Sequence, residues 1–392
     1  MQRNPYRFTK KKGKKSIEVM FAHIPGKWFS ARTSDMSQAV LWAERKLQED
    51  GLPSNVEKDP PTLRQFAKDF FKDSDPQGIR RRDKVRGYSF GTTYYEQKQK
   101  LLENHILPYH GDYRLTSIGR NMIEDLVYNL TNVNGTRLLA TSTRNKVFEC
   151  YSIVLKEAER QGLIAKNPCA DAEKLSASYS KREAFTSTEL RQLFPDDVDT
   201  LVWIWTSLQW ACYFLIQYET GWRPGEVAAL ESKNFFPESN GIYTTSDIDW
   251  KHRKVQPRIK TSDSGQPFKV GVLSERTSKL LSQLKAQTKG RYFFVLGRSG
   301  KFIGSDGAND RIEEACRRAG IPLERNGKKR TQYSFRHSFQ SYYLGRIPES
   351  ARLLLMGHTK TRNEYTHLDA QEVLERVREV EGLDEAIEKR RG

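Results

Sequence analysis

The sequence predicts a multidomain protein that is mainly α with small β-sheets, ending in a mixed α/β domain. Three observations carry this prediction. The chain has 392 residues, which is long for one domain. Apolar residues recur at helical spacing through most of residues 61–181. Short alternating stretches bounded by turns lie near the N-terminus and again between residues 242 and 273. We therefore expect domains at residues 1–60, 61–181 and 182–392.

Residues 1–60 are predicted to form a basic arm followed by a β-β-α unit. The arm spans residues 3–15, and an alternating stretch with a central Pro-Gly turn, typical of a hairpin, spans residues 17–32. Residues 35–50 have apolar side chains on one helical face. The proline-rich stretch 53–61 is predicted to be a linker.

Residues 61–181 are predicted to form an all-helical domain of about four helices. Helical spacing begins near Leu63, and the basic stretch 80–86 is expected to be a loop between the first two helices. The fourth helix is expected to end at Gly162. The polar run 176–181 marks the next boundary.

Residues 182–392 combine helical and strand patterns. A capping box at Thr186–Glu189 is expected to start a helix. The uncharged stretch 201–218 is interpreted as one buried core helix rather than a membrane span, because polar residues interrupt it and its length is at the lower limit for a bilayer. An amphipathic helix is expected at 373–380, with a hinge at Gly382. The predicted strands are 242–250, 255–260 and 268–273, with a turn at 265–266.

The charge of the chain favours a polyanionic partner. It carries 66 Lys and Arg against 49 Asp and Glu, a formal net charge of +17, and each of the three segments is net basic. This distribution suits a protein that wraps a long polyanion, and the alternative is that the charge serves only solubility. The composition excludes a disordered or multi-span membrane protein.

Cysteine usage and the N-terminus indicate a cytoplasmic protein. The four cysteines include no C-x-x-C pair, so neither a zinc site nor a disulfide framework is predicted. The apolar stretch after the basic N-terminal residues is too short for a signal peptide. We therefore expect a reducing cytosol and no export by that route.

Four short motifs in the last domain carry the chemistry. The first, Thr-Gly-Trp-Arg-Pro-Gly-Glu, places Arg223 at a helix N-terminus, where free N–H groups favour an anion. The others are Tyr-Ser-Phe-Arg-His-Ser at 333–338, Leu-Met-Gly-His at 355–358 and Asn-Glu-Tyr-Thr-His at 363–367. Their order closely resembles the catalytic domain of tyrosine site-specific recombinases, the integrases of phages and other mobile genetic elements.

The resemblance covers the whole chain and implies roles for its parts. Residues 1–60 resemble the arm-DNA-binding domain of integrases, and 61–181 resemble the core-site DNA-binding domain. Residues 182–392 resemble the catalytic domain with its C-terminal tail helix. By resemblance this tail packs in trans on a neighbouring subunit, whereas the sequence equally allows a helix that packs on its own domain.

Carried over residue by residue, the motifs imply a catalytic set. Arg223 and Arg336 resemble the two arginines that clamp the scissile phosphate. Lys260 resembles the hairpin lysine that protonates the departing 5′ oxygen. His358 resembles the residue that hydrogen-bonds the phosphate, and Tyr365 resembles the nucleophile that forms a 3′-phosphotyrosyl link.

Some assignments have alternatives, and one departs from the family pattern. Lys260 could instead be a solvated strand lysine like its neighbours, and His337 is expected to pack or orient rather than react. Glu226 is expected to hold an arginine or to cap a helix. The family usually has His or Lys where this chain has Tyr333, and a phenol is a poor base near neutral pH.

The resemblance implies a site-specific recombinase that needs no metal, ATP or other cofactor. Its partners would be double-stranded DNA at core and arm sites, three further copies of the chain in a tetramer, and DNA-bending and directionality proteins. Two alternatives are a DNA-binding regulator that has lost cleavage, which Tyr333 favours, and a type IB topoisomerase-like enzyme.

Overall fold

The computed structural model describes most of the chain and is mostly helical with small antiparallel sheets, as predicted. The chain divides into two compact units, Met1–Tyr179 and Ser180–Gly392. The three-domain division stays a prediction. The described residues are 6–9, 16–22, 26–49, 60–74, 78–88, 90–132, 134–176, 183–259, 267–288, 290–296, 301–303, 305–357 and 370–389.

The first unit begins with a three-stranded antiparallel sheet covered by one helix. The elements are β1 (Tyr6–Thr9), β2 (Glu18–Phe21), β3 (Trp28–Ser30) and α1 (Met36–Glu49). The hairpin and helix were predicted, but the first strand falls within the segment expected to be a basic arm. Tyr6 is buried in one core with Val19 and Phe21, and this burial gives the strand its place in the sheet.

The rest of the first unit is helical. Its α-helices are α2 (Leu63–Ala67), α3 (Ile79–Val85), α4 (Thr92–His105), α5 (Leu107–His110), α6 (Arg120–Asn129) and α7 (Thr141–Arg160). The loop predicted at 80–86 is wrong, because α3 occupies it. Ile79 is buried and Arg80 lies 5.0 Å from the centre of the Tyr95 ring, so tertiary contacts give this charged stretch a packed face.

The described part of the second unit packs four small sheets against helices. The elements are α8 (Ser187–Leu193), α9 (Val198–Trp205), α10 (Leu208–Thr220), α11 (Pro224–Ala228), β4 (Phe235–Phe236), β5 (Gly241–Thr244), β6 (Asp247–Asp249), β7 (Lys254–Gln256), β8 (Lys269–Val272), α12 (Glu275–Gln287), β9 (Val295–Leu296), β10 (Lys301–Phe302), α13 (Ser305–Arg318), β11 (Glu324–Arg325), β12 (Lys328–Lys329), α14 (Gln332–Tyr343), α15 (Glu349–Met356), α16 (Ala370–Arg378) and α17 (Leu383–Lys389). Helix α10 contacts α9, α11, α12 and α14, at the centre of the core. The sheets are β4-β5-β8, β6-β7, β9-β10 and β11-β12, all antiparallel.

Two predictions in this unit need correction. The stretch 201–218 is not one helix, because Thr206 takes a left-handed conformation (φ 67°) and Ser207 caps a new helix. The strand predicted at 242–250 is two strands, β5 and β6, that belong to different sheets. The predicted turn at 265–266 lies outside the described residues. No helix within the described parts of the chain is long and apolar enough to cross a bilayer.

The capping box predicted at the start of this unit is confirmed. The Thr186 hydroxyl accepts from the Glu189 amide at 3.3 Å, and the Glu189 carboxylate accepts from the Thr186 amide at 2.8 Å. These two bonds satisfy N–H groups that the first turn of α8 would otherwise leave without partners.

Helices α16 and α17 pack on their own domain. Of the two expected arrangements, packing on a neighbouring subunit or on the same domain, the described structure has the second. Val373 and Leu374 of α16 are buried in a cluster with Val270 and Val272 of β8. The Tyr342 hydroxyl on α14 donates to the carbonyl oxygen of residue 386 in α17 at 2.9 Å. These contacts give the C-terminal segment a cis position in the described structure.

Candidate active site

The site is built on the turn between α10 and α11. Gly221 ends α10 in the left-handed conformation (φ 64°), where a β-carbon would also overlap the Phe339 ring. The next residue, Trp222, is fully buried and donates from Nε1 to the carbonyl oxygen of Val270 at 3.3 Å. This anchor fixes Arg223, which is the N-cap residue of α11.

Arg223 is held by a carboxylate one turn later. Its Nη1 donates to Glu226 Oε1 at 2.9 Å, and its backbone N–H donates to Glu226 Oε2 at 2.7 Å. The arginine side chain is 21% exposed, whereas Glu226 is fully buried. The predicted role of Glu226 as an arginine partner is therefore confirmed. Part of the Arg223 side chain remains accessible to solvent, from which an anion can approach.

Arg336 reaches the same turn from α14. Its guanidinium donates to the carbonyl oxygen of Gly221, and its Nη2 donates to the carbonyl oxygen of Met356 at 3.2 Å. Burial, followed by the positive charge of Arg223, lowers the pKa of Arg336 to about 10. Two guanidinium groups from distant parts of the sequence thus converge at one place.

A buried tyrosine joins the elements that carry these arginines. The Tyr213 hydroxyl on α10 donates to Gln332 Oε1 at 2.7 Å and lies 3.1 Å from the carbonyl oxygen of Pro224. Gln332 is the first residue of α14, and Pro224 is the first residue of α11. The spacing between the two arginine-bearing helices is therefore fixed by a fully buried side chain.

A buried lysine lies behind Arg223. Lys269, the first residue of β8, is fully buried, and its Nζ lies 2.6 Å from Glu226 Oε1. Burial lowers the pKa of Lys269 to about 8, the charge of Glu226 opposes this shift, and the charge of Arg223 adds to it. The positive charge of Lys269 also helps to hold the pKa of Glu226 below its usual value despite burial.

A second carboxylate, that of Asp247, interacts with Arg223, Glu226 and Lys269. Burial and then the charge of Glu226 raise the pKa of Asp247 to about 6, while Arg223 and Lys269 oppose the shift. One Asp247 oxygen accepts from the Ile248 amide at 2.7 Å. Arg223, Glu226, Lys269 and Asp247 therefore form one electrostatic cluster in which two cations face two carboxylates.

Tyr333 and His337 flank Arg336 on α14. Tyr333 lies three residues before the arginine, so the two side chains project from neighbouring positions on one side of the helix. Tyr333 is 45% exposed, so part of this residue is accessible to a ligand. His337 is half-buried.

The other three predicted site residues lie outside the described residues: Lys260, His358 and Tyr365. The structure therefore brings together Arg223 and Arg336, with Tyr333 beside the latter. The catalytic roles of all six residues stay predictions.

The sequence predicts Lys269 as one of the solvated strand lysines near Lys260, which is wrong because Lys269 is fully buried. Asp247 is not predicted from the sequence as a member of the site. Lys269 had one signal, since it interrupts the otherwise apolar run 268–273, where an exposed lysine would be out of place. No sequence pattern indicated Asp247, because its neighbours at the site come from other parts of the chain.

The fold is similar to those of solved tyrosine recombinases. The Tn1549 transposon integrase in complex with a circular intermediate DNA superimposes with a TM-score of 0.57 at 17% identity, covering 81% of this chain and 99% of that one. A lambda integrase tetramer bound to a Holliday junction gives 0.54 at 13% identity, covering 91% and 97%. A lambda integrase dimer bound to a COC′ core site gives 0.53 at 14% identity, covering 94% and 93%.

These neighbours confirm the resemblance at the level of the fold, which is that of the tyrosine recombinases. No family model matches the sequence, and no curated protein matches it either.

Proposed function

We propose that this protein is a site-specific DNA recombinase that cuts and rejoins DNA through a 3′-phosphotyrosyl intermediate at Tyr365. The observation that carries the proposal is the convergence of Arg223 and Arg336 in a fold shared with integrases solved on DNA. Two cations held close together repel each other, so an anion between them relieves this repulsion. A phosphodiester becomes more negative as it passes to a pentacoordinate transition state, and fixed guanidinium groups stabilise that charge.

The proposed chemistry balances without an external reactant. The Tyr365 oxygen attacks phosphorus as its phenolic proton passes to water, and the bond from phosphorus to the 5′ oxygen breaks. Lys260 gives a proton to the departing 5′ oxygen, and His358 hydrogen-bonds the phosphate. Attack by a 5′ hydroxyl on the phosphotyrosine reverses the step. Because one phosphodiester replaces another, no ATP is required. The two guanidinium groups stabilise the charge that a metal ion would otherwise stabilise.

The first test is the trapping of a covalent adduct. We would select the preferred site from random-sequence duplexes and place a nick beside it so that the cut strand end diffuses away. Incubation in EDTA without ATP is expected to give a protein–DNA adduct on a denaturing gel. Tyr365→Phe is expected to abolish the adduct, whereas Tyr292→Phe, which changes a tyrosine of the same unit outside the motif, is expected to preserve it.

The alternatives make different predictions in this assay. A protein that shifts the selected duplex but never links to it would be the DNA-binding regulator, an interpretation favoured by Tyr333. An adduct accompanied by relaxation of supercoiled plasmid, with no exchange between two sites, would indicate a topoisomerase-like enzyme. Either result would overturn the recombinase proposal.

Residues 1–60 are proposed to bind arm sites, and 61–181 to bind core sites. Support for the arm assignment comes from the outer face of the N-terminal sheet, where Arg7 pairs with Met20 and Met20 pairs with Trp28. Directly paired residues share a face, so this row presents a cation and two large apolar side chains together. The binding selection is expected to yield two unrelated consensus sequences, and Trp28→Ala is expected to weaken binding to one of them only.

The active species is proposed to be a homotetramer on two duplexes in the cytoplasm of a bacterial host, assisted by DNA-bending and directionality proteins. Support comes from the similarity to lambda integrase, which was solved as a tetramer on a Holliday junction. Sedimentation of the full chain with two selected duplexes is expected to show four protein copies. Complexes that never exceed one copy per duplex would contradict the tetramer.

A further inference from the structure

A buried lysine without a catalytic assignment lies directly behind the site. Lys269 Nζ is 2.6 Å from Glu226 Oε1, and both side chains are fully buried. The same Glu226 oxygen accepts from Arg223 Nη1 at 2.9 Å. One carboxylate oxygen is therefore shared between a buried ammonium and the guanidinium proposed to clamp phosphate.

Several elements hold Lys269 in this position. Its strand β8 pairs with β5, with Thr244 opposite Lys269. The carbonyl oxygen of the next residue, Val270, accepts the Trp222 indole N–H at 3.3 Å, so β8 is bonded to the turn that carries Arg223. On another side the stem of Lys269 packs against Gly357, the residue before His358. Lys269 thus contacts both Glu226 of α11 and the end of α15, and its strand is bonded to the turn that carries Arg223.

The arrangement has an electrostatic consequence for Arg223. A buried carboxylate with a single cationic partner would bind that partner strongly, because the surroundings screen the charge poorly. Because Glu226 is shared, the positive charge of Lys269 offsets the negative charge of Glu226 from the interior side. The hold on Arg223 is then weaker, and the guanidinium keeps its capacity for an anion on its exposed side.

We propose that Lys269 is a positioning residue: by neutralising Glu226 from the interior, it leaves Arg223 available to the scissile phosphate. This inference rests on the proposed function, because it assumes that Arg223 meets a DNA phosphate. Lys269 touches no substrate in this scheme. It acts only through the charge of Glu226, and this dependence gives the inference a specific signature.

The test measures how strongly binding depends on a single phosphate charge. Duplexes of the selected sequence would carry one uncharged methylphosphonate at successive positions of the footprint, and affinity would be compared with the all-phosphate duplex. For the wild-type chain, one position is expected to lower affinity by about tenfold or more, which is the scale of one charge-assisted contact. In Lys269→Met this ratio is expected to fall severalfold towards one, because Arg223 is drawn to Glu226.

The same substitution in a Glu226→Gln chain is the matched control. If Lys269 acts through the charge of Glu226, adding Lys269→Met to Glu226→Gln is expected to leave the ratio unchanged. In the double variant both buried charges are removed. It therefore avoids the buried Glu226 charge, left without Lys269, that could stop the Lys269→Met chain from folding. An unchanged ratio in Lys269→Met alone, or a further fall when it is added to Glu226→Gln, would overturn the inference.

The outcome is separable from that of the proposed function. Absence of a covalent adduct with the wild-type chain would count against the recombinase chemistry. The affinity ratios would still be measurable, because they report binding and do not depend on cleavage. Conversely, the wild-type chain could form an adduct while Lys269→Met leaves the ratio of phosphate to methylphosphonate affinity unchanged. That result would support the recombinase proposal and reject the positioning role.

Discussion

Gly357 lies directly against the side chain of Lys269, so that a β-carbon at residue 357 would overlap Lys269 Cε. The glycine ends α15 in the left-handed conformation, with φ at 67°. Both its backbone angle and its neighbour therefore disfavour a larger residue. The contact joins the segment that leads to His358 with the charged cluster around Glu226.

Gly357→Ala is expected to destabilise the second unit by clearly more than backbone strain alone. Gly345 is the matched control, because it has a similar φ of 77° with open space where a β-carbon would stand. Gly345→Ala is expected to lower the free energy of unfolding by about 1–2 kcal/mol. Urea unfolding of both variants tests this, and equal losses would contradict the packing against Lys269.

The pH dependence of stability should report the buried lysine. The unfolded chain holds a proton on Lys269 up to its ordinary pKa of 10.5, whereas the folded chain holds it only to about 8. Between these values the unfolded state binds more protons, so this group makes the free energy of unfolding rise with pH. Subtracting the Lys269→Met profile from the wild-type profile between pH 7.5 and 10 is expected to give a rising difference. A flat difference would contradict the burial of this charge.

Arg336→Lys is expected to slow adduct formation by about 100-fold to 1,000-fold, the scale of losing one fixed donor to a developing charge. Lysine keeps the charge but cannot reproduce the two-pronged geometry that reaches both Gly221 and Met356. Arg346→Lys is the control, since this arginine stacks on the Tyr342 ring, 4.4 Å from its centre. Single-turnover cleavage that is equally fast in both variants would remove Arg336 from the site.

Tyr213→Phe is expected to lower the free energy of unfolding by about 1–3 kcal/mol, because it leaves the buried Gln332 oxygen without this donor. Tyr292→Phe serves as the comparison, since the contacts of Tyr292 with Phe302 and Arg291 are made by its ring. Denaturant unfolding followed by tryptophan fluorescence measures both. Equal stability of the two variants would show that the hydroxyl does not hold α11 and α14 together.

Tyr333→His is expected to change the pH profile of adduct formation. An imidazole at this position would gain proton-accepting ability as pH rises through about 6.5. The rate of the variant is therefore expected to rise between pH 6 and 7.5, with Tyr333→Phe giving no such rise. Identical profiles for the histidine variant and the wild-type chain would place this residue away from the reacting groups.

Local patterns in the sequence were informative where neighbours along the chain make the contacts. The capping box of Thr186 and Glu189 formed as predicted, because both partners lie within one helical turn. The bond between Arg223 and Glu226 has the same short spacing. In contrast, α3 was missed, because its aromatic partner Tyr95 lies on another helix.

The sequence by itself determined the predominance of helices with small sheets, the order of the four motifs and hence the resemblance to tyrosine recombinases. Spacing within a helix and the order of motifs are properties of neighbouring residues and of the linear chain. Only the tertiary structure decided that Arg336 meets Arg223 at the Gly221 turn and that Lys269 is buried against Glu226. Burial changes the pKa and the partners of a charged group, and burial depends on which distant elements pack together.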